Sequence, residues 1–265
     1  MTAVRWALAD GWTVVRRNLA YLRHSPDTLV AALAAPVTMT VLFGYVFGSA
    51  IAVPGGGNYR EYLIPGLFAM VGATGIMPTM VGIAADVEKG VVDRLRAMPM
   101  ARSAVPFGQA GSDIITGTAA LALMALCGLA VGWRVRHGPG PALAAFGLLI
   151  LFRYAMTWIG VFLGLAVKDE RTANQLVVLV FPVSMLTNAF VPTAGMPAWL
   201  RTVADWNPIS AVVAASRDLF GNPTAPTAHP AWPLQHPVVA SLAWSLLLLA
   251  IFVPLSVNRY RRAGS

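Results

Sequence analysis

Asp113 and Arg153 are the residues of this chain hardest to place without a partner, because each sits inside a long apolar run. An ionisable side chain at membrane depth is costly and normally faces a partner or a polar cavity. Counted from the same side of the membrane, Asp113 lies roughly 14 Å deep in its run and Arg153 roughly 22 Å deep in the next, at about 1.5 Å per helical residue. Arginine's reach closes that gap, so the spacing predicts a buried ion pair between adjacent antiparallel helices. Three roles stay open for it: a structural tie, a gate for the substrate, or the ion-coupling group of a secondary transporter. Charge reversal of both residues is expected to restore expression lost in either single variant.

The segment 86–102 carries both signs of charge, reading D-V-E-K-G-V-V-D-R-L-R-A-M-P-M-A-R. Val91, Val92, Leu95 and Met98 recur at helical spacing and can seat one face in a groove, while Asp93, Arg94 and Arg96 point away. A docking helix and a solvated loop whose charges set topology both fit. A third group, Asn174, Gln175, Ser184, Thr187 and Asn188 with the aromatic Phe181, supplies the polar and apolar contacts with which the fifth apolar run can line a path.

Other chemistries are excluded. A phosphate-binding loop needs G-x-x-x-x-G-K-[ST], because the lysine reaches the phosphates and the hydroxyl holds Mg²⁺. Lys89 stands in E-K-G and Lys168 in V-K-D, and the chain has no other lysine. His24, His137, His229 and His236 are scattered over different loops without a carboxylate at ligand spacing, so neither a metal site nor a catalytic group is expected. The single cysteine, Cys127, allows no intrachain disulfide.

The elements that must position these residues are transmembrane helices. Hydrophobic residues make up 57% of the 265, charged residues only 11%, and the mean hydropathy is +0.66; a soluble domain has about 25% charged residues. A span takes roughly 20 apolar residues to cross about 30 Å of hydrocarbon, and six runs qualify, near 28–51, 62–85, 104–131, 142–167, 172–191 and 237–257. The expected fold is therefore an all-α polytopic membrane protein.

Residues 1–27 read as a separate element, an amphipathic interfacial helix. Leu8, Trp12, Val15, Leu19 and Leu22 share a face, and Arg5, Arg16, Arg17 and Arg23 supply the headgroup side. Arg5, Asp10, Arg16 and Arg17 also interrupt any signal-peptide core. The remaining 28–265 form one transmembrane domain, without a fixed-period repeat.

Charge sorts the connectors. With residues 1–27 inside, thirteen Lys and Arg fall on the inner side: four in that helix, Lys89, Arg94, Arg96 and Arg102, then Lys168 and Arg171, then Arg259, Arg261 and Arg262. Five fall outside, Arg60, Arg134, Arg136, Arg201 and Arg217, which places both termini in the cytoplasm under the positive-inside rule. The dispersed basic residues argue against nucleic acid despite the net charge of +8. Within 192–236, the apolar pieces 197–205 and 208–220 are too short to span and read as interfacial or re-entrant helices.

The E-K-G-V-V-D-R-L-R-A-M-P stretch at 88–99, with A-F-V-P at 189–192, M-P-A-W-L-R at 196–201 and W-N-P-I-S at 206–210, resembles the type-2 ABC exporter permeases, in particular their daunorubicin-resistance branch of actinobacteria. The resemblance covers essentially the whole chain. It implies that Glu88, Lys89, Gly90, Asp93, Arg94, Leu95 and Arg96 belong to a coupling helix bearing on a separate ATP-binding subunit, which holds ATP and Mg and is present in two copies. It implies re-entrant helices on the outer side and a second permease chain, most economically a homodimer. The resulting expectation is a multi-pass protein of a bacterial inner membrane that exports amphipathic drugs or lipid-like compounds and has no enzymatic site of its own. Export of polysaccharide or lipid-linked glycan is the alternative cargo, and a membrane scaffold without transport the other class.

Overall fold

The computed structural model describes residues 58–97, 104–167, 169–224 and 230–262, together with positions 16, 34, 37, 38, 40–42 and 45; the side chains of Leu95, Arg96, Ala97, Ala104, Val105, Phe181, Ala194, Arg261 and Arg262 fall outside that description. Among the described residues the secondary structure is helical and no strand occurs. Apart from position 16, the interfacial helix expected at 1–27 lies outside the described residues, as does most of the first span. Isolated positions of that span do meet the bundle: the Thr40 hydroxyl donates to Met124 Sδ at 3.4 Å, and the Arg60 guanidinium sits 4.3 Å from the Tyr45 ring centre.

Helix α1 (Tyr59–Ala73) starts where the Asn58 side chain accepts the Arg60 N–H, with Glu61 in the first turn. Pro65 is accommodated inside it. The chain breaks at Thr74 and Gly75 and resumes as α2 (Ile76–Glu88). Together they form one long apolar element, Tyr59–Glu88. After Gly90, at φ +66°, the short α3 (Val91–Ala97) follows. Two 28-residue helices come next, α4 (Ala104–Val131) and α5 (Pro139–Ala166). The α5 helix opens with proline in its first turn, where a missing N–H costs no bond.

Asp169 caps α6 (Glu170–Met185) by accepting the Thr172 N–H. This helix has 16 residues, about 24 Å at 1.5 Å per residue, and stops short of the expected end at 191. Pro182 has already removed one helical N–H, and the Thr187 hydroxyl accepts the Ala189 N–H outside the helix. A 3₁₀ turn (Thr193–Gly195) leads to α7 (Ala198–Trp206) and α8 (Pro208–Phe220), where the sequence placed two short helices. The chain ends with α9 (Trp232–Gln235) and α10 (Pro237–Arg262). Among the described residues four elements are long and apolar enough to cross a membrane: Tyr59–Glu88, Pro106–Val131, Pro139–Ala166 and Pro237–Tyr260.

Helix α5 is the hub and packs on α10, α2, α8, α4 and α1. The most apolar stretches of Tyr59–Glu88 and α5 are 67% and 61% buried, against 22% and 17% for α4 and α10. The first two are therefore core, while the outer faces of α4 and α10 need lipid or another chain. Phe68, Trp133, Phe146 and Phe220 interlock with edge-on or tilted rings 5.0 to 5.9 Å apart, and the Trp133 Nε1–H donates to Asn222 Oδ1 at 2.7 Å. The α2–α5 contact is closest at Gly160, where an added Cβ would stand 2.6 Å from the Ile76 carbonyl oxygen. Gly160→Val is expected to separate these helices at a cost of about 1–3 kcal/mol, read as a lower thermal midpoint of the detergent-solubilised chain. An unchanged midpoint would refute so tight a contact.

Candidate functional site

The break at Thr74 and Gly75 releases a carbonyl. Gly75 N–H donates to Gly72 O rather than to Val71 O, so the Val71 carbonyl needs another donor at membrane depth. Arg153 Nη1 donates to it at 2.7 Å, and the Thr74 hydroxyl at 3.1 Å. The same guanidinium grips Asp113 with two bonds, Nη2 to Oδ1 at 2.7 Å and Nε to Oδ2 at 3.0 Å. The Thr157 hydroxyl donates to Asp113 Oδ2 at 2.6 Å. Asp113 is 7% and Arg153 8% exposed. One buried, bidentate pair thus joins α4, α5 and the interruption in the α1–α2 element. Gly117 makes room for it, because a Cβ there would overlap Arg153 Nε.

At the α3 end, Glu88 closes α2 and reaches across to α6: its Oε2 accepts the Glu170 N–H at 3.0 Å. Beside it the Thr172 N–H and hydroxyl bond Asp169 and hold its carboxyl below the usual carboxylate range, which keeps the α6 cap ionised. Lys89 forms the α2 C-cap. Asp93 and Arg94 are exposed, whereas Val92 is buried and faces Pro106, Val161 and Tyr260 around a small crevice. Arg259 ties in the C-terminal helix by donating to Leu165 O at 3.0 Å.

The polar residues of the fifth run do not gather on one path. Asn174 and Gln175 are exposed on α6, and the Asn174 amide donates to Glu170 O. Ser184 is buried and bonds back to Val180 O. Thr187 and Asn188 lie beyond the helix, in the stretch 186–190, whose residues 187–189 are buried. Its carbonyls are held from outside: Tyr59 OH donates to Phe190 O, and Tyr62 OH to Asn188 O.

Arg217 completes that clasp from a buried position, which the sorting of charges by loop does not reveal. It is 3% exposed; Nε donates to Tyr62 O at 2.9 Å, and Nη2 to Asn188 O and Ala189 O at 3.1 and 3.0 Å. Its position within the apolar run S-A-V-V-A-A-S-R was the available signal. Arg136, sorted the same way, makes two bonds to the buried Glu61, at 2.6 and 3.2 Å, which push the guanidinium's affinity for its proton up. Thr157 and the Val71 carbonyl also escaped sequence reasoning, since helix breaks and hydroxyl rotamers leave no mark in a hydropathy pattern.

Comparison with known proteins matches residues 10–220 to a family model described as ABC-2 type transporter. A daunorubicin resistance ABC transporter permease protein of Streptomyces coeruleorubidus is 29% identical over 265 residues, 100% of this chain and 89% of that one. A protein of Mycobacterium tuberculosis named a probable doxorubicin resistance ABC transporter permease is 21% identical, covering 96% and 89% of the two chains. One of Escherichia coli named a probable multidrug ABC transporter permease is 26% identical over 57% of this chain and 41% of its own.

Proposed function

Because the chain belongs to the ABC-2 type transporter family, we propose that it is the membrane-spanning permease subunit of an ATP-driven exporter whose cargo is an amphipathic drug or a lipid-like compound. The full-length similarity to a daunorubicin resistance permease carries this reading. Hydrolysis belongs to a separate ATP-binding chain, since neither lysine stands in a phosphate-binding loop.

The working unit is two permease chains, most economically identical, with two ATP-binding subunits. Each permease contributes six spans: the run at 28–51, the four long apolar elements, and α6 extended by 186–191. Both termini and α3 face the cytoplasm of a bacterial cell, while α7 and α8 lie on the outer side as interfacial and re-entrant helices. The bias of Lys and Arg supports that orientation.

Coupling runs through the α2–α3 corner. Closure of the ATPase pair moves α3 through Glu88, Lys89, Gly90, Asp93, Arg94, Leu95 and Arg96, and two connections support transmission into the spans: Glu88 to the first turn of α6, and buried Val92 beside Tyr260 of α10. Farther in, the Asp113–Arg153 pair holds three helices at the α1–α2 break, a place where packing can change between discrete states. The pathway follows the open face of α6, where Asn174 and Gln175 continue into Val178 and Leu179, which are 70% and 65% exposed. Phe181 belongs to the same proposal, whereas Ser184, Thr187 and Asn188 serve the end of the helix.

The test is co-expression with an ATP-binding partner, purification, and assay of vanadate-sensitive hydrolysis and of drug efflux. A stable complex with cargo-stimulated hydrolysis is expected. A permease that forms no complex and leaves hydrolysis unaltered would overturn the reading.

A further inference from the structure

At the end of the bundle remote from α3, a cavity of about 390 Å³ opens between α1, the stretch after α6, α8 and the α9–α10 corner. Volumes of about 300–1,000 Å³ are typical of small-molecule sites. The lining is polar at Tyr62, Asn188 and Arg217 and apolar at Pro192, Leu234 and Pro237.

The polar part of the lining is incompletely satisfied. Arg217 is buried and gives Nε and Nη2 to three neutral carbonyls, with its guanidinium carbon 3.5 Å from the Tyr62 ring centre. Among the described residues no carboxylate lies within ion-pair distance of it. Burial pushes Arg217 down to about 10, which leaves it cationic at neutral pH. A buried charge without a counter-ion is costly. Asn188, 8% exposed, carries a second deficit, since its buried Oδ1 accepts no hydrogen bond among the described residues. Asp218 is the single carboxylate in the lining, and it is exposed.

The two deficits differ in kind. The arginine calls for an anion, the asparagine oxygen for a hydroxyl or amine donor, and the apolar part of the lining for an apolar body. We propose that this cavity is a binding site for the headgroup of an anionic phospholipid of the phosphoglycerol class: the phosphate meets Arg217, a glycerol hydroxyl donates to Asn188 Oδ1, and the first acyl carbons rest on Leu234 and Pro237. The site is separate from the α6 face and stands whether or not the cargo is a drug.

The experiment reconstitutes the full chain in nanodiscs of phosphatidylcholine with graded phosphatidylglycerol, and counts lipids retained after detergent release by native mass spectrometry. Phosphatidylglycerol is expected to be retained about tenfold over phosphatidylcholine, whose phosphate can meet Arg217 equally but whose choline offers Asn188 Oδ1 no hydroxyl and brings a cation beside the guanidinium; one hydrogen bond at the upper end of its ordinary worth gives that ratio. Ala214→Phe fills the cavity from α8 without touching the carbonyl clasp and should abolish that preference at an unchanged thermal midpoint. Asp218→Asn removes the opposing charge and should raise retention, an effect that a merely structural arginine would not produce. Millimolar glycerol 3-phosphate should displace the bound lipid; failure to displace it would assign retention to the acyl chains and overturn the headgroup assignment. Equal retention of the two lipids by the unaltered chain, or full retention by Ala214→Phe, would overturn the site itself.

Discussion

Arg153→Met is expected to deplete the folded chain from detergent extracts. The substitution strands Asp113 at 7% exposure with only the Thr157 hydroxyl as a donor, and it deprives the Val71 carbonyl of its 2.7 Å bond at the helix break. Removing one member of a buried ion pair costs about 3–5 kcal/mol, a large part of the about 5–15 kcal/mol that holds a typical protein together. Asp113→Leu should be nearly as damaging, because it leaves the guanidinium uncompensated. The double variant Asp113→Leu with Arg153→Met should recover much of the yield, since both desolvation penalties vanish together. Exchange of the two charges recovers less than pair logic alone would give. An aspartate at 153 cannot reach the Val71 carbonyl, and the notch at Gly117 accommodates an arginine coming from α5. Yield and thermal midpoint on a fluorescent size-exclusion column measure all four variants. A stable Arg153→Met protein would contradict the buried pair.

That comparison shows what hydropathy and spacing can carry. Runs of apolar residues bounded by charge or glycine gave α4 at the limits it has, 104–131, and α10 within a few residues, because desolvation in lipid leaves a helix as the only way to satisfy an isolated backbone. Rise per residue alone brought Asp113 and Arg153 within reach of each other, and the two side chains meet at 2.7 Å. The interruption of 62–85 did not follow from spacing. Pro65 and the glycines of that run allow bending at several places, and α1 passes through Pro65 unbroken while giving way at Thr74 and Gly75. What selects that position is the side chain of a helix eighty residues later. The fifth run failed for a related reason: hydropathy continues to 191, yet the carbonyls after Met185 are taken by Tyr59, Tyr62 and Arg217. A count of loop charges assigns a side of the membrane and says nothing of burial, so Arg217 read as an outer-loop charge when it is a fully enclosed clamp.

Gly90→Val is expected to uncouple the transporter without unfolding it. Gly90 adopts φ +66°, and an added Cβ there would meet nothing within 4 Å, so the cost of a side chain is conformational rather than steric crowding. A left-handed backbone costs an ordinary L-residue roughly 1–2 kcal/mol, and a β-branched one most of all. The relief is a change of direction between α2 and α3, which swings exposed Asp93 and Arg94 and pulls Val92 from its crevice beside Tyr260. None of these movements touches the Asp113–Arg153 tie or the aromatic core, so the thermal midpoint should fall only slightly. Cargo-stimulated, vanadate-sensitive hydrolysis of the complex should fall by about tenfold or more, the scale of an ordinary coupling free energy. Gly90→Asn supplies the control, because asparagine tolerates the left-handed region and should retain most of the coupling although it too adds a side chain. Equal activity of the valine and asparagine variants would mean that the direction of α3 does not transmit the work of the ATPase. Loss in both would mean that the surface at 90 must stay bare for the partner, and would move the coupling contact from the turn's geometry to direct burial of Gly90 itself.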